Sequence, residues 1–274
     1  MNAPSPVKAA TDEAIVQRDD REGIAFVVLN RPQARNALSA AMLQALTQTL
    51  AGIAVDKRIR AVVIAANGEA FCAGHDLREI TEHRKDADLG VAYTKDLMGS
   101  CSAVMQSIHR MPQPVIAAIE GPASAAGCQL VATCDLAIAS KSAAFATPGV
   151  HIGLFCSTPM VALSRNVAPK HAMEMLLTGE MVSAEDAYRI GLVNRVVAEG
   201  AARDEAFKLA RQITSKSALT IKLGKEAFYR QLDMSLPEAY RFASQVMVEN
   251  MMVRDAKEGI SAFVEKRSPT WEDR

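Results

Sequence analysis

Residues 115–149 read VIAAIEGPASAAGCQLVATCDLAIASKSAAFATPG, and this stretch decides the fold. Val115–Ile119 is a short apolar, β-branched run entered through Pro112 and Pro114, so it reads as a buried strand. The small residues after Gly121 make a tight turn, and Ala125–Thr133 then carries a helical pattern. Leu136–Ala139 is a second apolar run, Phe145–Thr147 a third, and Pro148-Gly149 marks a turn. Strands that alternate with helices at this spacing predict an α/β fold with largely parallel sheets.

The same rhythm holds on the N-terminal side. Ile24–Leu29 (IAFVVL) and residues 61–65 (AVVIA) are strand-like, and between them Ser39 is placed to cap an amphipathic helix, AAMLQALTQTLAGIA. The polar segment from Arg78 to Arg110 reads mostly as helix. From Ala168 onward helical periodicity dominates, except at Leu192–Val197. Ser183 with Glu185 and Asp186, and Ser235 with Pro237, signal helix starts. The expected organisation is a disordered tail over 1–12, a core over 13–198, and a helical oligomerisation region over 199–274.

Composition removes several functional classes. Thirty-one Lys plus Arg balance thirty-one Asp plus Glu, so no global field recruits nucleic acid or an anionic membrane. No apolar run approaches the roughly 20 residues that span a bilayer. Five cysteines without a CxxC pair indicate a reducing compartment. MNAPSPVKAATDEA has neither the apolar core of an export signal nor the Arg-rich, acid-poor character of a transit peptide, so a cytoplasmic protein is expected. There is no GxGxxG, GxxxxGK[ST], GxSxG or HExxH, and the five histidines are scattered without metal-ligand spacing. Neither a metal nor a separate cofactor is expected.

Two loops of small residues each follow a strand: Phe71-Cys72-Ala73-Gly74-His75-Asp76-Leu77 and Gly121-Pro122-Ala123-Ser124-Ala125-Ala126-Gly127-Cys128. Small side chains let a ligand reach the main chain, and the second loop opens a helix whose first amides lack intrahelical partners. Converging N–H groups would stabilise an enolate or a tetrahedral oxyanion. From spacing alone, the same residues suit tight turns whose small side chains only permit packing.

The motifs Asn30-Arg31-Pro32, Asn36-Ala37-Leu38-Ser39, FCAGHDL, GPASAAGCQL, CDLAIA, ATPGVHIGL, MLLTGE, SAEDAYRIGLV and EGISAFVEKR resemble, in order, the enoyl-CoA hydratase/isomerase or crotonase superfamily over residues 14–268. The resemblance implies a crotonase-like spiral of ββα units with a C-terminal helical trimerisation region, forming homotrimers or dimers of trimers. The implied substrate is an acyl-CoA thioester. Ala73 and Ala126 match the oxyanion-hole positions, and Ala73, Gly74, His75 and Asp76 match the CoA-binding turn. Arg35 and Ala37 fall in an early loop that touches CoA, while Phe263 and Lys266 match C-terminal CoA contacts made across a subunit interface. From the residues alone, Phe263 also suits a core, Lys266 a solvated helix face, and Asp76 a helix cap.

Hydratases of that superfamily hold and activate water with two glutamates, one in a GGGCEL segment and one in a PE dipeptide twenty positions later. Gln129 and Gly149 stand at those places, so the spacing is kept and both carboxylates are missing. General acid/base catalysis contributes roughly 10²- to 10⁴-fold, and a glutamine amide takes no proton at neutral pH. Gln129 can position a water or a carbonyl, and Gly149 is expected to open space. His151 would share a face with Gly149 in a strand and is a candidate displaced base. Cys156 is a weaker candidate nucleophile. The resemblance thus implies an enoyl-CoA hydratase/isomerase-like enzyme, with an acyl-CoA-binding protein or a decarboxylating or hydrolysing enzyme as alternatives.

Overall fold

The computed structural model describes residues 14–274, so the tail expected over 1–12 lies outside the described residues. The N-terminal part runs β1 (Val16–Arg21), β2 (Ile24–Leu29), α1 (Ala40–Val55), β3 (Ala61–Ala66), α2 (Leu77–His83) and α3 (Val91–Arg110). The central part follows with β4 (Val115–Ile119), β5 (Ala123–Ser124), α4 (Ala126–Thr133), β6 (Leu136–Ser140) and β7 (Ala144–Ala146). Then come α5 (Pro159–Asn166), α6 (Pro169–Thr178), β8 (Val182–Ser183), α7 (Ala184–Arg189) and β9 (Arg195–Val197). Four helices close the chain: α8 (Ala202–Thr214), α9 (Ala218–Gln231), α10 (Leu236–Met252) and α11 (Arg254–Val264).

Six strands form one sheet in the order β1-β2-β3-β4-β6-β9, and three form a smaller sheet in the order β5-β7-β8. In the large sheet only the β1–β2 pair is antiparallel. The strands at its centre are buried on both faces, as their unbroken apolar runs require. One face is covered by α1, whose Met42, Leu43, Leu46, Leu50 and Ile53 point inward, together with α3 and α4. The Ser39 hydroxyl accepts the Met42 N–H at 3.1 Å and starts α1. The other face is covered by α8, where Ala202, Ala206 and Ala210 form a stripe of small side chains against Ile24, Val63, Ile116 and Ile138.

Two elements differ from the sequence reading. Strand β1 escapes a hydrophobicity pattern because its sequence is VQRDDR, with most of its residues in solvent at the sheet edge. Arg18–Asp20 and Arg21–Asp19 pairs hold those charges, which also discourage pairing with another chain. The segment after Arg78 is two helices, interrupted where Leu89 and Gly90 take φ of 57° and 81°. Asp88 accepts the N–H groups of Gly90 and Ala92 and starts the second helix. A β-carbon at Gly90 would lie 2.9 Å from the His83 carbonyl oxygen.

The C-terminal helices are tied to the core by one buried polar cluster. The Lys225 ammonium donates to Asp135 at 2.7 Å and to the carbonyls of Ile108 and Gln113 at 2.8 Å. Tyr229 and the Val115 N–H also donate to Asp135. Helices α9 and α10 bury no residue, and Phe228, Leu236, Tyr240, Met247, Met251 and Met252 are exposed. Among the described residues no helix is long and apolar enough to cross a membrane.

Candidate active site

The two small-residue loops are built into each other. The Ser124 N–H donates to the Cys72 carbonyl at 2.9 Å, and Phe71 and Cys72 donate to the Pro122 carbonyl. A β-carbon at Gly121 would lie 2.0 Å from the Glu69 oxygen, and one at Gly127 would lie 2.1 Å from the Cys72 oxygen. Neither position has room for any side chain. Between them, Ala125 takes φ 49°, ψ −117°, a conformation costly for a residue with a β-carbon, and its N–H donates to Ala146. This kink turns the chain into α4. The left-handed conformation falls on Ala125 and not on Ala126.

The free amides differ from those expected. The Ala73 N–H is spent on the Arg35 carbonyl at 3.0 Å, so in this geometry it does not face a ligand. Gly74 directs its N–H to the Cys72 sulfur. The next amide, that of His75, has no acceptor among the described residues, and neither has Ala126, the first residue of α4. The turn rests on the start of that helix: a β-carbon at Gly74 would lie 2.9 Å from the Ala125 β-carbon and 3.4 Å from the Ala126 nitrogen. His75 and Ala126 are thus left with free N–H groups on two segments that meet at Gly74 and Ala125, and the Ala126 N–H opens a helix N-terminus, where negative charge is favoured.

Gln129 follows Ala126 by three residues, on the same side of α4. It is 6% exposed and its side-chain oxygen has no partner. The Thr147 hydroxyl, also fully buried and unpartnered, follows the residue that accepts the Ala125 N–H. The space expected at Gly149 is filled. The Gly149 N–H donates to the Cys156 sulfur at 3.3 Å, and a β-carbon at 149 would lie 2.9 Å from that sulfur and 2.8 Å from the Leu154 oxygen. Burial raises the Cys156 thiol above its ordinary range despite the Gly149 N–H, so it remains protonated and unreactive at neutral pH. His151 sits in a 3-10 turn, Pro148–Ile152, rather than a strand, so it does not share a face with Gly149. Its Nε2 lies 2.8 Å from the Thr178 carbonyl and packs on Gly179, which commits the ring to the start of the next loop.

Arg35 lies exposed in the left-handed region at φ 49°, beside a cavity of about 560 Å³ lined by Pro32, Gln33, Glu69, Ala73 and Ser124 as well. Ala37 is buried and tied to Ala34. Asp76 lies within the turn but serves it structurally. It accepts the Arg78 N–H at the start of α2 and pairs with Arg31 at 2.7 Å. Burial alone would raise this carboxyl, yet Arg31 and the amides outweigh it and hold it below its ordinary value. Phe263 is 85% exposed on α11, and Lys266 is exposed just past that helix; within one chain neither is placed at the paired loops. Among the described residues no group of three or more His, Cys, Asp or Glu could hold a metal.

Sequence reasoning quoted Asn36 only as part of a motif. It is fully buried at φ 53°, accepts the Arg31 N–H, and donates to the carbonyls of Asn67 and Ala70. An Asn directly before the apolar Ala37-Leu38 pair is a signal for such a side-chain-to-backbone staple.

A profile of the enoyl-CoA hydratase/isomerase family matches residues 19–274. The chain belongs to the enoyl-CoA hydratase/isomerase family. Human enoyl-CoA hydratase domain-containing protein 3, mitochondrial, is 48% identical over 250 residues, 91% of this chain and 81% of that one. A crystal structure of enoyl-CoA hydratase from Mycobacterium smegmatis superposes with a TM-score of 0.90 at 51% identity, covering 94% of this chain and 99% of that one. The human domain-containing protein 3 structure gives 0.89 at 45% identity, covering 94% and 100%. The architecture is thus the expected α/β crotonase fold, in the hydratase-domain branch. The expectation of a cytoplasmic setting is corrected: the rat, human and mouse relatives of this family member are named mitochondrial, which points away from the cytoplasm.

Proposed function

We propose that this protein binds an acyl-CoA thioester and stabilises negative charge on its carbonyl oxygen between the N–H groups of His75 and Ala126. The observation that carries this reading is the pair of free amides on two interlocked loops, at the positive end of α4. Coenzyme A enters only as part of the substrate. One lost donor of this kind costs about 3–4 kcal/mol in other enzymes, so two preset donors are a large share of a catalytic device.

The enzyme is hydratase/isomerase-like in its carbonyl chemistry, but addition of water by a pair of carboxylates is not its route. Gln129 is an amide, and the 149 position is packed against Cys156 and Leu154. The exposed apolar faces of α9 and α10 support assembly into trimers or dimers of trimers, and a second copy is what would carry Phe263 and Lys266 to a CoA moiety. The same missing carboxylates favour one alternative: binding of a thioester without turnover.

The test is to incubate the purified protein with crotonyl-CoA, longer enoyl-CoA thioesters and malonyl-CoA, following masses beside a control without protein. Binding with conversion of any thioester supports an enzyme. Binding with every thioester returned unchanged assigns the binding role, and absence of binding removes the thioester reading.

A further inference from the structure

The chain reverses at Lys266, whose φ is 55°, and runs back along α11. Arg267 pairs with Glu258 at 2.6 Å, and the Thr270 N–H donates to the same carboxylate at 2.9 Å. The Trp271 ring lies against Gly259, where an added β-carbon would come within 3.1 Å of it. At the far end the N–H groups of Glu272 and Asp273 donate to Asp255 at 2.8 and 3.0 Å, and the Arg274 carbonyl accepts the Asp255 N–H. Residues 267–274 thus form a strap that retraces α11 from Glu258 to Asp255.

The polar ties of this pair to the body converge on the junction between α8 and α9. The Trp271 indole N–H donates to the Ser215 carbonyl at 2.8 Å, and the Ala218 N–H, first of α9, donates to Asp273 at 2.7 Å. Asp255, 1% exposed, accepts the Ser217 hydroxyl. Arg60 stands beside the same point, donating to the Lys216 carbonyl and lying 3.6 Å from Asp273. Two carboxylates therefore meet the N-terminus of α9, where negative charge is favoured. Apolar burial adds little, because the residues that α11 buries are Asp255 and Ala262. At its other end α11 is joined to α10 through a single extended residue, Val253, which caps both helices.

We propose that α11 and residues 267–274 are a latched flap, which swings on Val253 as one piece and is closed by Trp271 on Ser215 and by Asp273 and Asp255 on the start of α9. A unit with little buried apolar surface, closed by a few hydrogen bonds, opens at a lower free energy than a central strand. The outer face of α11, with Ile260, Phe263 and Val264 exposed, moves with the flap, so the latch decides where that apolar face points.

Hydrogen exchange followed by mass spectrometry tests the proposal on the full chain. In the wild type, residues 254–274 exchange together and faster than β3 and β4. Trp271→Ala, and separately Asp273→Gly, which removes the carboxylate and accommodates the backbone φ of 57°, each speed exchange over the whole of α11 by roughly tenfold and leave β3 and β4 unchanged. Trp271 is the chain's single tryptophan, so its emission in urea gives a second reading on the unaltered protein. The emission shifts to the red at urea concentrations where the far-UV ellipticity is retained. The proposal is overturned by exchange over 254–274 as slow as in the two strands, by acceleration confined to residues 270–274, or by acceleration in β3 and β4 as well. Emission and ellipticity changing in one transition also overturns it.

Discussion

The Gly149 N–H points at the Cys156 sulfur, 3.3 Å away, and that contact closes the place from which a second side chain could enter the site. Gly149→Glu is therefore expected to destabilise the protein by about 1–3 kcal/mol through overpacking, and to leave hydration of crotonyl-CoA no faster. Adding Cys156→Gly recovers only part of the loss, because the Leu154 oxygen still lies 2.8 Å from the added β-carbon. Chemical denaturation of the single and double variants checks the order.

Ala126 is the first residue of α4, a position where proline is tolerated. Ala126→Pro removes one free N–H and should reduce turnover of any converted thioester by roughly 10²- to 10³-fold. Circular dichroism and melting temperature, recorded on the same sample, separate loss of the donor from loss of the fold. Activity within threefold of wild type would exclude this amide from the chemistry.

Lys225 and Asp135 are half of the device that holds the C-terminal helices. Removing one partner leaves the other buried and uncompensated, so Lys225→Met is expected to cost about 3–5 kcal/mol. Because Tyr229 and the Val115 N–H also use Asp135, Asp135→Leu should cost at least as much. Urea midpoints at neutral pH give the comparison.

Ala125→Gly should stabilise the chain by about 1 kcal/mol, because glycine adopts φ 49°, ψ −117° without the clash that alanine carries. Ala125→Val should destabilise it. Melting curves of the two variants test the sign in each direction.

The depressed carboxyl of Asp76 sets a pH signature. Its folded value lies below the ordinary 3.8, so its contribution is complete above that pH and fades as pH falls through the folded value. Asp76→Asn is expected to lower stability at neutral pH and to flatten the acid limb below about pH 4. Denaturation midpoints between pH 2 and 7 reveal the flattening; a parallel displacement of the two curves would exclude the ion pair as its source.

Much of the architecture is legible because burial writes itself into short stretches: Ile24–Leu29 and Val115–Ile119 read as strands, and Ser39 and Ser235 start the helices they precede. What escaped depends on partners far along the chain. Whether the Ala73 amide is free is decided by the Arg35 carbonyl, and nothing within the FCAGHDL segment records that bond. The space at Gly149 is decided by a thiol that returns through a 3-10 turn. A strand at 149–151 would make His151 a neighbour of Gly149, and the 3-10 turn sends it to Thr178 instead. The edge strand β1 was invisible because its charges serve the solvent side.

Gly127 seated against the Cys72 carbonyl, and Gly121 against Glu69, make the paired loops a single rigid part. Substitutions that would separate the two amides must first break a contact closer than any side chain permits. Substitutions at 75 or 129 change the side chains beside the two free N–H groups while leaving both donors in place. New chemistry on this scaffold is therefore reached by exchanging the groups around a fixed anchor, and the anchor itself is the feature that mutation explores least.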